Sequence, residues 1–284
     1  MQLTVIEGNR QKLDGGAMFG NAPKALWQRW VDADELNRIP MACRCLLLTT
    51  DSGKHILFET GIGNFFEPAL KSRYGVAEEG HQLLLNLQQH GLTDADIDVV
   101  VLSHLHFDHA GGLLSSYREG EQPQLLFPNA VFISGKAQWQ HAQAPHLRDR
   151  ASYVPLIQQL LQDSRRLLLV DEANCDSALE GVRFHFSDGH TPGLMLSEIA
   201  TARGPLLFAS DLIPGSHWVH LPICMGYDRY PEKLIDEKRQ MLDYLLQQQG
   251  RLFFTHDDKL ACGLVHKDDS GRYSVMATEI DNNN

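Results

Sequence analysis

Four side chains able to bind a metal ion stand within six residues in Ser103-His-Leu-His-Phe-Asp-His-Ala-Gly-Gly112, directly after the apolar run Ile97-Asp-Val-Val-Val-Leu102. Such a run beside turn residues predicts a buried strand. Imidazoles and a carboxylate gathered at its end are poorly solvated and repel one another once charged. A divalent cation removes that cost, because neutral imidazole and ionised carboxylate are its usual ligands. The chain must therefore fold around a metal site built on His104, His106, Asp108 and His109.

Strand-like runs recur at 44–50, 55–59, 97–103, 130–134, 166–170, 182–187, 195–200, 206–210, 251–255 and 273–280, bounded by Gly, Pro, Asn or Asp. Helical spacing appears over 80–90, with Leu83, Leu84 and Leu87 on one face and Gly91 as the stop. A longer helix is predicted over 231–249. Pro231 suits its first turn, Leu234, Ile235, Met241, Leu242, Leu245 and Leu246 form its apolar stripe, and Gly250 stands where a left-handed cap is needed. This alternation predicts an α/β protein whose sheets are covered by helices. No repeat or Gly/Ser-rich linker interrupts the chain, so a single domain over 1–284 is expected. Its arm of about 10–40, rich in aromatics at Phe19, Trp27 and Trp30, is expected to pack near the active site. Residues 281–284 are expected to fray, and 143–150 reads as a join between two halves without marking a domain boundary.

Three more ligand-type residues stand where a strand hands over to a loop: His190 in Ser187-Asp-Gly-His-Thr-Pro-Gly193, Asp211 after Leu206-Leu-Phe-Ala-Ser, and His256 after Arg251-Leu-Phe-Phe-Thr. Ligands gather at the carboxyl ends of strands in helix-covered sheets, since loops converge there over a rigid scaffold. Thr191-Pro-Gly193 reads as a turn that sets the angle of His190. Five His and two Asp exceed one tetrahedral ion and suit two ions sharing a carboxylate. In that reading His104, His106 and His190 hold the first ion, Asp108, His109 and His256 hold the second, and Asp211 bridges. Two such ions lower the pKa of a bridging water enough to give hydroxide near neutral pH.

The formal net charge of −11 repels phosphate backbones and anionic membranes, so neither nucleic acid nor membrane is an expected partner. Met1-Gln-Leu-Thr-Val-Ile-Glu7 lacks the basic start and long apolar stretch of a signal peptide. The five cysteines are odd in number and scattered, which reads as reduced buried thiols in a cytoplasmic protein.

His-x-His-x-Asp-His, the later Gly-His-Thr-Pro-Gly, the strand-terminal Asp211 and the late His256 follow one another from Thr60-Gly61 onward. Together they resemble the five-motif pattern of the metallo-β-lactamase superfamily. The resemblance implies an αβ/βα four-layer sandwich, two mixed sheets flanked by helices, and a zinc-dependent hydrolase. Asp14-Gly-Gly-Ala-Met-Phe-Gly20, Pro23-Lys-Ala-Leu-Trp27 and Met225-Gly-Tyr-Asp228 resemble pocket-shaping segments of the quorum-quenching (acyl-homoserine) lactonase-like branch. Three departures stand out. Glu59 replaces the family's Asp before Thr-Gly and is read as a carboxylate that orients a ligand His with one more methylene of reach. Pro214 occupies the position of a substrate-assisting Tyr, and Leu194 follows Thr-Pro-Gly where many relatives have His. All three spare the metal ligands.

The expected activity is that of a dinuclear metal-dependent hydrolase in which a metal-bridging hydroxide attacks an ester carbonyl, a lactone above all. Asp108 would accept and return the proton, with Asp211 as the other catalytic carboxylate. Zinc is the expected metal, with iron or manganese as alternatives. The partner is a small-molecule substrate, and a homodimer is compatible with the chain. Phe19, Phe65, Phe66, Phe107, His217, Trp218 and Tyr227 are the candidate pocket residues, with a packed aromatic core as the alternative for each. Competing activities are a glyoxalase II-like thioesterase, which should carry a basic pocket, and a phosphodiester or phosphotriester hydrolase. A one-metal sulfur dioxygenase and a sensor with a relic metal site complete the alternatives.

Overall fold

The run after Asp98 becomes the strand Val99–Leu102, whose last three residues are buried. It lies between His55–Phe58 and Val131–Gly135, parallel to both. A parallel strand covered on both faces needs apolar side chains in both directions, which is why this stretch shows no alternation. The computed structural model describes residues 1–280 and divides into two compact units. The first comprises Met1–Gln11 and Ala42–Asp171 together with Ile280, and the second Lys12–Met41 and Glu172–Glu279. The tail expected to fray, 281–284, lies outside the described residues.

The first unit holds a mixed six-stranded sheet in the order Gln2–Glu7, Arg44–Thr49, His55–Phe58, Val99–Leu102, Val131–Gly135, Leu167–Val170. Its first two pairings are antiparallel and the other three parallel. Helices Gln82–Gln89 and Pro155–Ser164 each offer an i, i+4 apolar pair, Leu83 with Leu87 and Ile157 with Leu161, to a core containing Leu57, Val100 and Phe132.

The second unit has its own mixed sheet of six strands, ordered Tyr273–Ala277, Cys262–Lys267, Arg251–Phe253, Leu206–Phe208, Leu194–Ile199, Val182–Ser187. Leu206–Phe208 runs parallel to Arg251–Phe253, and Val182–Ser187 reaches the same direction through two antiparallel steps. All three strands that lead to a candidate ligand therefore end on one edge. Helix Pro231–Gln247 buries Leu234, Leu242 and Leu245 in this unit's core.

Several elements differ from expectation. The strands Gln2–Glu7, Gln11–Asp14, Arg38–Met41 and Cys262–Lys267 and the helix Pro155–Ser164 were not predicted. The chain passes between the units at 11–12, 41–42, 171–172 and 279–280. Gly250 is not the left-handed residue after the long helix; Gln249 is, at φ 53. Gly250 is closely packed instead, a Cβ there standing 2.5 Å from Leu245 Cδ2 and 3.2 Å from Leu245 Cβ and Pro205 Cγ. The arm is ordered: Asp14 Oδ1 accepts from Ala17 N at 2.8 Å and caps the helix Gly15–Phe19. Among the described residues, no helix is long and apolar enough to cross a membrane.

Candidate metal centre

In the first unit the parallel neighbours His55–Phe58 and Val99–Leu102 deliver Glu59 and His104 to the same end of the sheet. Glu59 is fully buried and adopts φ 66, a left-handed conformation that costs a non-glycine residue about 1–3 kcal/mol. Its hydrogen bonds offset that cost. Glu59 N donates to Val101 O at 2.8 Å, and Glu59 Oε1 accepts from Ser103 N at 3.1 Å. Glu59 Oε2 lies 3.0 Å from His109 Nδ1, leaving Nε2 of that buried ring on the side of Asp108. One ligand-type atom from each of Glu59, His104 and His109 falls within 4.8 Å of the others.

Ring centroids of His104 lie 4.4 Å from His106 and 4.0 Å from His109, so three buried imidazoles share one small volume. His106 precedes the short helix Phe107–Ala110, which carries Asp108 and His109. Asp108 Oδ2 accepts from Gln11 Nε2 at 2.7 Å, and its Oδ1 lies 3.8 Å from His109 Nε2. Gly111 and Gly112 follow because the chain 60–63 presses on them. Gly112 N donates to Gly61 O at 2.9 Å, and Thr60 N donates to His109 O at 3.0 Å.

In the second unit Asp211 sits in the turn Ser210–Leu212, after Ser210 at φ 44. Its two oxygens face different imidazoles: Oδ2 is 3.1 Å from His190 Nε2 and Oδ1 is 3.3 Å from His256 Nε2. His190 Nδ1 lies 2.8 Å from Asp228 Oδ1. The loop that carries His190 is held by the long helix. Glu237 accepts from Ser187 Oγ, Asp188 N and Gly189 N at 2.6, 3.0 and 3.0 Å. Gly193 at φ 74 closes the Thr191-Pro-Gly193 turn, its N donating to Asp188 Oδ1 at 2.9 Å. His256 N donates to the carbonyl of Pro214 at 2.9 Å.

The donor set suits a divalent cation on either unit. Buried imidazoles and carboxylates lie within a few ångströms, and orienting carboxylates on Nδ1 of His109 and His190 leave the Nε2 lone pairs for a metal.

Of the candidate pocket residues, Phe65, Phe66 and Phe107 cluster in the first unit with Tyr74, whose ring is 4.5 Å from Phe107 and 5.2 Å from Phe66. In the second unit Phe19 is fully buried, stacked against Trp218 at 4.6 Å and near Trp27 at 5.5 Å. That is the setting of a core ring. Trp218 Nε1 donates to Met18 O at 2.9 Å and locks the arm to this stack. His217 stacks on Trp30 at 5.6 Å, and burial pushes its imidazole pKa below the usual value. His217, Trp218 and His256 line a small cavity together with Val31, Ile39 and Met41 of the arm. Tyr227 is exposed.

Residues 38–256 match the model of the metallo-beta-lactamase superfamily. The chain belongs to that superfamily. It is 23% identical over 227 residues to an N-acyl homoserine lactonase from a Bacillus species, covering 75% of this chain and 80% of that one. A probable metal-dependent hydrolase from Staphylococcus aureus superposes with a TM-score of 0.84 at 28% identity, covering 98% of each chain. A dizinc quorum-quenching lactonase, solved with the product N-hexanoyl-L-homoserine, gives 0.75 at 22% identity over 99% of this chain and 95% of its own. This superfamily member is a metal-dependent hydrolase whose His/Asp clusters are able to bind a divalent metal.

Gln11, Asp228, Glu237 and Lys238 were not picked out individually from the sequence, although Asp228 closes the Met225-Gly-Tyr-Asp segment that was. Lys238 is fully buried, and its Nζ donates to the carbonyls of Trp218, Ile223 and His220 at 2.9, 2.6 and 3.4 Å. Burial lowers its pKa from 10.5 to about 8. Between those values the unfolded chain binds more protons than the folded one, so this group's contribution to stability rises with pH across the window and is lost as pH falls through about 8. Lys238→Met leaves three carbonyls without their donor, a cost of about 1–3 kcal/mol at the top of this window. That cost shrinks as pH falls, because the variant also removes a buried charge. The substitution should also abolish this rise, as read from urea unfolding at several pH values. Parallel stability profiles for the two proteins would refute the assignment.

Proposed function

We propose that the seven candidate ligands hold a pair of divalent cations, zinc in the first instance, and that the protein hydrolyses an uncharged ester, a lactone. The observation that carries this reading is Asp211, whose two oxygens address His190 and His256 separately, as a carboxylate shared between two ions requires. His104, His106 and His190 are assigned to one ion, Asp108, His109 and His256 to the other. The superfamily match spans ligands of both units. Bound cations of this kind supply hydroxide at neutral pH and polarise a carbonyl oxygen.

The chain's own residues do the rest. Asp108 is assigned the proton: Gln11 holds Oδ2, leaving Oδ1 on the side of His109 Nε2. Glu59 ties the end of one strand to His109, so that ligand cannot swing when charge develops. Pro214 holds the backbone of His256 through its carbonyl and offers no hydroxyl to a substrate. The lactone assignment draws on the lactonase relative and on the apolar Phe65, Phe66 and Phe107 cluster. A net charge of −11 further disfavours anionic thioesters and phosphodiesters.

The test is metal analysis after zinc reconstitution, paired with rates on lactones, thioesters and phosphotriesters. Two zinc ions per chain and a lactone kcat/KM about tenfold or more above the other classes are expected. Fewer than two ions would defeat the dinuclear reading. A preference for thioesters or phosphotriesters would defeat the substrate assignment.

A further inference from the structure

Two of the imidazoles assigned to different cations carry a buried carboxylate on Nδ1. Glu59 serves His109 at 3.0 Å and Asp228 serves His190 at 2.8 Å. Glu59 follows directly from its place beside the strand. Asp228 lies 38 residues beyond its His, in the loop that precedes the long helix, and is 1% exposed. That loop is tightly turned: Asp228 Oδ2 accepts from Met225 N at 2.6 Å, and Asp228 N donates to Met225 O at 3.1 Å. The same turn is pinned to the arm by Gly226 N donating to Ala17 O at 2.7 Å, and to the ligand loop by Arg229 N donating to His190 O at 3.1 Å. A bulkier residue at Gly20 would collide with it, a Cβ there standing 2.6 Å from Cys224 O.

We propose that Asp228 is a positioning residue for His190: its carboxylate keeps the proton on Nδ1 and aims Nε2 at the metal, and through Met225 it joins that ligand to the turn against which the arm packs. The inference rests on the two-cation reading above. A carboxylate on the far nitrogen raises the basicity of a ligating imidazole and removes the entropy of ring rotation, effects that amount to about 10–100-fold in metal affinity. An amide cannot replace it. Asn has one carbonyl oxygen for two N–H donors, Met225 N and His190 Nδ1, and brings no charge.

The decisive comparison is zinc affinity of wild type, Asp228→Asn and Asp228→Glu, measured by chelator competition on the full chain. Asp228→Asn should weaken one of the two ions about 10–100-fold and leave the other near wild type, and Asp228→Glu should recover part of the loss. Glu59→Gln should weaken the opposite ion. In the zinc-loaded wild type, the His190 Nδ1 proton should give a downfield, slowly exchanging NMR signal, a measurement that needs no variant to fold. Wild-type affinity for every ion in a folded Asp228→Asn protein, or a freely exchanging Nδ1 proton, would overturn the inference. A wild type that binds one ion would instead remove the dinuclear reading, and the affinity of Asp228→Asn for that ion would still decide the role of Asp228.

Discussion

Asp211→Ala is expected to lower turnover by about 10³-fold or more while the protein keeps its fold. The side chain reaches from a short turn to His190 Nε2 on one oxygen and His256 Nε2 on the other, and it is 5% exposed. Its removal deprives two imidazoles of a shared negative partner and takes a bridging ligand from the proposed pair of cations. Zinc content should fall from two ions to one or fewer, and the residual rate should not be rescued by excess zinc. The backbone of the turn is held elsewhere, Leu212 N donating to Ala209 O at 3.2 Å, so circular dichroism and the unfolding midpoint without metal should change little. A variant that keeps more than about a tenth of wild-type kcat/KM with two bound ions would remove Asp211 from the centre.

Gly112→Ala should be the most damaging single methyl group in the chain near this site. A Cβ at position 112 would stand 2.0 Å from the carbonyl oxygen of Thr60 and 2.8 Å from its carbon, both backbone atoms. No rotamer relieves a clash with backbone, so segments 60–63 and 109–112 must separate. Separation breaks the bonds from Gly112 N to Gly61 O and from Thr60 N to His109 O, and it moves His109 away from Glu59. A loss on the order of 4 kcal/mol in unfolding free energy is expected, with zinc affinity reduced even in the folded fraction. Gly120→Ala is the matched control, since nothing lies within 4 Å of a Cβ there, although φ +79 makes it mildly strained. Equal stability of the two variants would show that the approach of residue 60 to residue 112 is not what requires glycine.

The candidate ligands were legible because each stands at the end of an apolar run, and burial with period is a short-range signal. Val99–Leu102, Leu206–Phe208 and Arg251–Phe253 announce themselves, and His104, Asp211 and His256 follow them within a few residues. The superfamily could be read from the order of those motifs, and the mixed, helix-covered sheets bear out the α/β class. The strand Gln2–Glu7 was missed because its alternation is weak, with only Leu3 and Ile6 as large buried apolar residues. Phe19 shows a different limit. An aromatic residue in a loop-like stretch signals burial, but its stacking on Trp218 depends on a residue almost two hundred positions away.

By itself, then, the amino-acid order determined the kind of scaffold and the side chains that would seek a cation, since hydrophobic period and ligand chemistry are written locally. Only the tertiary structure decided how those side chains are aimed. Gln11 meets Asp108 across 97 residues and Asp228 meets His190 across 38, and Lys238 finds three carbonyls on a loop that precedes its helix. A buried polar group takes whatever partner folding leaves beside it, and that choice has no period to read.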